Sequence, residues 1–166
     1  MTAEQFPTTT EREALCGFLD KQRADLLRKV EGVSDADART APTASSLSLL
    51  GLLKHCALWE RRWFQAVVAG RALGGAWSPA DIPRWQEEDF RVDERDTVGR
   101  WAAFYAEQVA LSREITAGLA LDAPCARPEL AHRNLRWVLL HMIEETARHA
   151  GHADIVRESI DGSTGA

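Results

Sequence analysis

Four long segments of the chain carry the apolar periodicity of amphipathic helices, and no segment shows a convincing strand pattern. They span about residues 10–32, 48–70, 96–117 and 134–160. Thr10 with Glu13 makes a capping-box pattern at the start of the first segment, and Gly162 follows the last one as a stop signal. We therefore predict an all-α fold, a four-helix bundle, in a single domain over residues 1–166.

The connection between the second and third helices, residues 71–96, is irregular and rich in glycine and proline. A connection of roughly 25 residues inside a compact domain is usually functional or contains short helices of its own. Its aromatic residues are Trp77, Trp85 and Phe90. We interpret them as a lid packed on the bundle, and a wall of a ligand pocket is a second, compatible interpretation.

Composition excludes several classes of protein. The net charge is −5 and the pI is near 5.5, which argues against a general nucleic-acid binder. No apolar run approaches the roughly 18 residues of a membrane span, and the N-terminus lacks the apolar core of a signal peptide. Cys16, Cys56 and Cys125 have no C-x-x-C spacing, so a disulfide or cysteine–zinc framework is not expected. We predict a cytoplasmic protein with no nucleic-acid and no membrane partner.

The fourth helix carries an unusual polar stripe. His141, Glu145 and His149 recur every four residues, and His152 follows three later, so all four share one face of the helix. Ionisable groups on a buried face must be paired, hydrogen-bonded or bound to metal. His141 and His149 are about 12 Å apart along the axis at 1.5 Å per residue, whereas ligands lie about 2 Å from zinc. One adjacent pair is therefore expected to bind an ion, and the Glu145/His149 pair can point at one ion.

A third ligand has to come from another helix, and His55 in the middle of the second helix is the natural candidate. Leu52, Trp59 and Trp63 lie on or near its face, so His55 should point inward. A lone histidine on an apolar face is more often part of the core than a metal ligand. With a Glu/His pair on the fourth helix, the two interpretations of His55 are evenly balanced. His132, in a loop, is expected to be exposed.

Two segments resemble the hallmark segments of the DinB-like superfamily, specifically its mycothiol-dependent S-transferase branch. They are "SLSLLGLLKHCALWERRWF", residues 46–64, and "NLRWVLLHMIEETARHAGHADIVRESIDG", residues 134–162. The second is the more specific, because its pattern H-x3-E-x3-H-x-G-H-x-D is hard to reach by chance.

The resemblance implies an up-down-down-up bundle that holds one divalent metal through His55, Glu145 and His149. Many relatives have histidine where this chain has Glu145, and a carboxylate there resembles the mycothiol-dependent maleylpyruvate isomerase version of the site. Zinc is the expected ion, and Ni²⁺, Fe²⁺ or Mn²⁺ would also fit. The implied activity is conjugation of mycothiol, a low-molecular-weight thiol, to a small electrophile through a metal-bound thiolate. A homodimer is also implied.

Further side chains near these ligands receive weaker assignments. We expect His152 and Asp154 to hydrogen-bond the thiol cofactor or a metal ligand, with a structural or capping role as an equal alternative. We expect His141 to lie beside the metal ligands without binding the ion. The arginines of the two helices are expected to be solvated, although they are long enough to reach anionic parts of a thiol; they are Arg61, Arg62, Arg148 and Arg157. Cys56 is interpreted as a small core residue and not as a nucleophile.

Two other functions fit the same residues. Two histidines and one carboxylate are also the ligand set of non-haem iron enzymes. A non-catalytic bundle that binds a small molecule or a partner through a vestigial site is the alternative from another class.

Overall fold

The computed structural model describes residues 10–73 and 87–164, and within these ranges the chain is all-helical. The helices are α1 (Glu11–Arg28), α2 (Asp35–Arg39), α3 (Leu49–Glu60), α4 (Val98–Ala117) and α5 (Leu135–Asp161). A π-helical segment, Arg61–Val68, continues α3, and a short 3-10 turn spans Pro128–Leu130. The described residues contain no strand, only an isolated antiparallel bridge between Pro124 and Asn134. The all-α fold class is thus confirmed.

None of the described helices combines the length and the apolar character that a membrane crossing requires.

Local sequence signals fix where the long helices begin. Each starts after a residue whose side chain accepts a hydrogen bond from a backbone N–H of the first turn, and these residues are Thr10, Ser48, Thr97 and Asn134. At Thr10 both bonds of the predicted capping box are present. At the other end of the chain α5 stops at Gly162, whose φ of 74° is the left-handed conformation that favours glycine.

Three features of the backbone differ from the prediction. Helix α1 ends at Arg28 and not near Gly32, because the following backbone turns through i→i+3 bonds and Arg157 of α5 donates to the carbonyls of Lys29 and Glu31. The turn-rich stretch after α1 contains α2, which Ser34 caps. The second predicted helix changes to π geometry after Glu60. Segments with π geometry are rare in proteins, but those that occur are often found at functional sites. Every residue from 62 to 68 of this segment is buried.

Packing brings α3 and α5 into contact at the centre of the molecule. Helix α1 packs along α5, α3 packs along α4, and α3 also touches α5. Apolar side chains from these helices form two core clusters, one around Leu53 and Tyr105 and one around Phe64 and Leu139. The inward faces of α3 and α5 therefore pack against each other, and the predicted ligands lie on these two faces.

Part of the irregular connection also packs on α3. Residues 87–89 form a helical turn, and the carbonyl oxygen of Phe90 lies so close to Gly51 that a Cβ on Gly51 would be 2.7 Å from it. Glycine is thus required at this position of α3 for the connection to come so near. Trp77 and Trp85, which we predicted to belong to the same lid, lie outside the described residues.

Candidate metal centre

His55 of α3 meets Glu145 and His149 of α5 in a buried cluster. Each residue offers one ligand atom, and these atoms all lie within 4.8 Å of one another. The i,i+4 spacing places Glu145 above His149 on one face of α5, and the packing of α3 on α5 adds His55 from the opposite side. The three predicted ligands are therefore close enough to contact a single ion.

The histidines of this cluster have nitrogens that the rest of the described chain leaves unsatisfied. Both ring nitrogens of His55 and Nδ1 of His149 are buried and have no hydrogen-bond partner there. An unsatisfied buried polar group costs about 1–3 kcal/mol, so natural folds rarely retain one without a reason. Imidazole nitrogens and a carboxylate are ordinary ligands of a divalent transition metal. The residues present thus fit the metal ion that the family resemblance implied.

Charge in the cluster also suits a cation. The pKa of Glu145 is lowered to about 2, first by the His149 ring, whose Nε2 lies 3.6 Å from the carboxylate, and then by the Arg148 guanidinium. Burial lowers the pKa of His55, although Asp89 opposes this change. At neutral pH the site therefore contains an ionised carboxylate beside a neutral His55, which are the protonation states that metal ligands require.

Two residues of the irregular connection contact His55 on its other side: Asp89, which sequence reasoning missed, and Phe90, which was predicted to pack on the bundle. Asp89 Oδ2 lies 3.6 Å from His55 Nδ1, and the Phe90 ring stacks on the His55 ring with centroids 4.4 Å apart. Arg62 of the π segment binds the Asp89 carboxylate through two hydrogen bonds. Arg62 was expected to be solvated, but only 7% of it is exposed. No repeat or spacing in residues 71–96 marks Asp89 as special.

A second group of potential ligands shares Glu145. His141, Glu144 and Glu145 also place ligand atoms within 4.8 Å of one another, but Glu144 is exposed. The His141 ring stacks on Trp137 at a centroid distance of 5.0 Å and meets Trp63 edge-on at 4.5 Å. Aromatic packing thus accounts for the position of His141, which lies beside the buried cluster and not within it.

The residues beyond His149 differ in their surroundings. The His152 ring lies 5.6 Å from that of His149 and is half-buried, with Nδ1 unsatisfied within the described ranges. The Asp154 carboxylate instead forms an ion pair with Lys29 at the end of α1. Asp154 therefore connects α5 to the end of α1 through this ion pair. Such a contact corresponds to the structural role that was the alternative to cofactor binding. Arg148 pairs with both Glu144 and Glu145.

Cys56 follows His55 in sequence but points into the core. It is 2% exposed, and burial strongly raises the pKa of its thiol. The thiol is therefore protonated at neutral pH, whereas a cysteine nucleophile needs a lowered pKa.

Comparison with known proteins decides the family. A family model described as mycothiol-S-transferase matches residues 14–162 of the chain. The chain belongs to the mycothiol-S-transferase family. This membership confirms the resemblance inferred from the two helical segments, and it supports a transferase that uses mycothiol. The matched range includes both helices that carry His55, Glu145 and His149.

Other comparisons add the fold but no activity. A search of curated proteins found no match to the chain. A crystal structure described as that of the conserved protein of locus from Enterococcus faecalis superimposes with a TM-score of 0.65. The alignment covers 94% of this chain and 100% of that chain at 16% identity. At this identity the likeness shows that the two proteins share a fold and nothing more.

Proposed function

We propose that this protein is a metal-dependent S-transferase that joins mycothiol to a small electrophile. The observation that carries the proposal is the convergence of His55, Glu145 and His149 in a buried cluster whose ring nitrogens lack other partners. Family membership supports mycothiol as the thiol. We further propose that the four long helices form the up-down-down-up bundle of the DinB-like superfamily, which is supported by the packing of α1 on α5 and of α3 on α4.

The three residues would hold one divalent ion, with zinc as the first choice. Three protein ligands leave a coordination position open, which is the mark of a catalytic rather than a structural zinc site. Such an ion, when bound, lowers the pKa of a coordinating thiol and so supplies a thiolate at neutral pH.

The chain contributes charge, orientation and the exclusion of water. Glu145 adds one negative charge and His55 adds none, so with a divalent ion bound these groups would sum to a net charge of about +1, which favours an anionic sulfur. Burial of the ligands keeps water away and strengthens these interactions. We assign to His152 a hydrogen bond to the thiol substrate; the half-buried position of its ring, 5.6 Å from the His149 ring, supports this role. Cys56, which is buried and protonated, takes no part in the bond formed between mycothiol and the electrophile.

A conjugation assay tests this function. The purified protein, with mycothiol and a bimane reagent, should accelerate formation of the thioether and should prefer mycothiol to glutathione. His55→Ala should lose most of the rate, whereas Cys56→Ala should retain it, because the attacking sulfur belongs to the substrate. A rate that survives His55→Ala and disappears with Cys56→Ala would instead indicate a protein thiol as nucleophile.

The ligand set itself favours one second candidate. Two histidines and one carboxylate with open positions also bind Fe²⁺ in non-haem oxygenases. Metal analysis of protein purified without added metal separates the two functions, because zinc supports the transferase and redox-active iron supports the oxygenase. Absence of thiol consumption with any electrophile would instead favour a non-catalytic binding bundle.

A further inference from the structure

The Asp89 carboxylate is buried next to the proposed metal centre without belonging to it. Only 3% of Asp89 is exposed, and it is absent from the group of His55, Glu145 and His149, whose ligand atoms lie within 4.8 Å of one another. Arg62 binds both of its oxygens, and the Nη2–Oδ1 distance is 2.9 Å. A bidentate arginine fixes the plane of a carboxylate. Asp89 is therefore held in one orientation by a partner that is itself buried.

That orientation directs one oxygen at His55. Oδ2 lies 3.6 Å from His55 Nδ1, which is longer than the roughly 2.7–3.2 Å of an N–H···O hydrogen bond. The contact is thus electrostatic, but the negative charge still favours the proton on Nδ1. The tautomer with a proton on Nδ1 leaves the lone pair on Nε2, and this nitrogen has no hydrogen-bond partner in the part of the chain that the structure describes.

The His55 ring is also held from its face. The Phe90 ring stacks on it at 4.4 Å with planes 17° apart, and Trp59 meets it edge-on at 5.4 Å. Because Phe90 follows Asp89 directly, one short segment supplies both the charge and the stacking surface. Rotation of the His55 ring is thus restricted before any ligand binds.

We propose that Asp89 is a positioning residue that holds His55 in the orientation and tautomer needed for metal binding, and that Arg62 fixes Asp89 in turn. The inference rests on the proposed metal site. Histidine ligands commonly donate their second N–H to a carboxylate, and loss of that partner typically lowers metal affinity about 10- to 100-fold. A purely structural Arg62–Asp89 ion pair would need no histidine beside it.

The test is metal affinity, measured on the full chain by competition with a chelator for Zn²⁺. Asp89→Asn keeps the shape of the side chain and removes its charge, and we expect affinity to fall about 10- to 100-fold. Because this change removes the negative charge that faces Arg62, the double variant Arg62→Gln/Asp89→Asn supplies a neutral pair for comparison. Glu87→Gln is the matched control, because it removes an exposed negative charge from the same segment, where Glu87 pairs with Arg91.

A second measurement separates positioning from stability. In a His55→Ala background, Asp89→Asn should cause no further loss of affinity, and the visible spectrum of Co²⁺-loaded Asp89→Asn should differ from that of the wild type. Three results would each overturn the inference: wild-type affinity in folded Asp89→Asn, an equal loss of affinity in Glu87→Gln, or an equal effect of Asp89→Asn in the His55→Ala background. Unfolding of both Asp89→Asn and Arg62→Gln/Asp89→Asn would also overturn the inference, because it would show that the Arg62–Asp89 pair is needed for folding. Failure of the wild type to bind metal would instead refute the proposed function.

Discussion

His55 of α3 and His149 of α5 lie with their ring centroids 4.6 Å apart and their planes 73° apart. This edge-on approach brings the buried nitrogens of two helices to one place, where the ionised Glu145 carboxylate is the third member. Both ring nitrogens of His55 and Nδ1 of His149 have no hydrogen-bond partner within the described residues, so the two imidazoles do not satisfy each other, and a bound cation would supply a partner. The packing of α3 on α5 thus assembles the proposed metal site.

The first prediction concerns which of the two groups on α5 binds the ion. Glu145→Ala should remove stoichiometric metal from the purified protein, because it deletes the charged ligand of the buried cluster. His141→Ala should leave the metal in place, since His141 packs on Trp137 and lies outside that cluster. Elemental analysis of both variants checks this. Loss of the metal in both variants would instead place the site in the exposed group, which also contains Glu145.

Removal of the metal should abolish activity without unfolding the chain. Two apolar clusters lie between the helices, so the fold has a core that small metal-dependent domains lack. A strong chelator should therefore stop mycothiol conjugation while far-ultraviolet circular dichroism stays helical, and added Zn²⁺ should restore the rate. Collapse of the helical signal on chelation would show that the metal is structural.

Gly51→Ala should weaken metal binding from a distance. Its Cβ would lie 2.7 Å from the Phe90 carbonyl oxygen, so the segment that stacks on His55 has to move. We expect lower Zn²⁺ affinity and a lower melting temperature. Gly151→Ala is the control, because a Cβ there meets nothing within 4 Å, and alanine in a helix interior should stabilise by about 0.5–1 kcal/mol. Equal Zn²⁺ affinities and equal melting temperatures for Gly51→Ala and Gly151→Ala would contradict the close approach of the Phe90 carbonyl to Gly51.

A buried ion pair should dominate the stability of the centre of the molecule. Arg23 binds Glu60, which is completely buried, whereas Arg113 is exposed and pairs with the partly exposed Asp20. Arg23→Met leaves the Glu60 carboxyl buried without its partner and should lower the free energy of unfolding by about 3–5 kcal/mol. Arg113→Met should cost less than about 1 kcal/mol. Urea denaturation compares them, and similar losses would be inconsistent with this account.

The parts of this structure that were predictable from sequence are those with local causes. Thr10 and Asn134 mark helix starts because a cap needs only the residues beside it, and Gly162 marks an end for the same reason. Glu145 and His149 share a face because helical spacing alone places them there. The metal role of these residues remains a proposal, and so does that of His55, whose partners come from another helix.

The parts that escaped prediction depend on distant residues. Arg62 looks like a solvated arginine until Asp89, from a segment without periodicity, is placed against it. The π geometry after Glu60 has no signal in the sequence, and helix propensity does not distinguish it from α-helix. Lys29 similarly meets Asp154 only because α1 packs along α5.

The central claim is tested most directly by measuring metal content and mycothiol conjugation on the same preparations of wild type, His149→Ala and His132→Ala. His132 is an exposed loop histidine away from the cluster and serves as the matched control. The account predicts one divalent ion per chain and full activity in the wild type and His132→Ala. It predicts neither metal nor a rate above the uncatalysed reaction in His149→Ala. Stoichiometric metal or an undiminished rate in folded His149→Ala would contradict it.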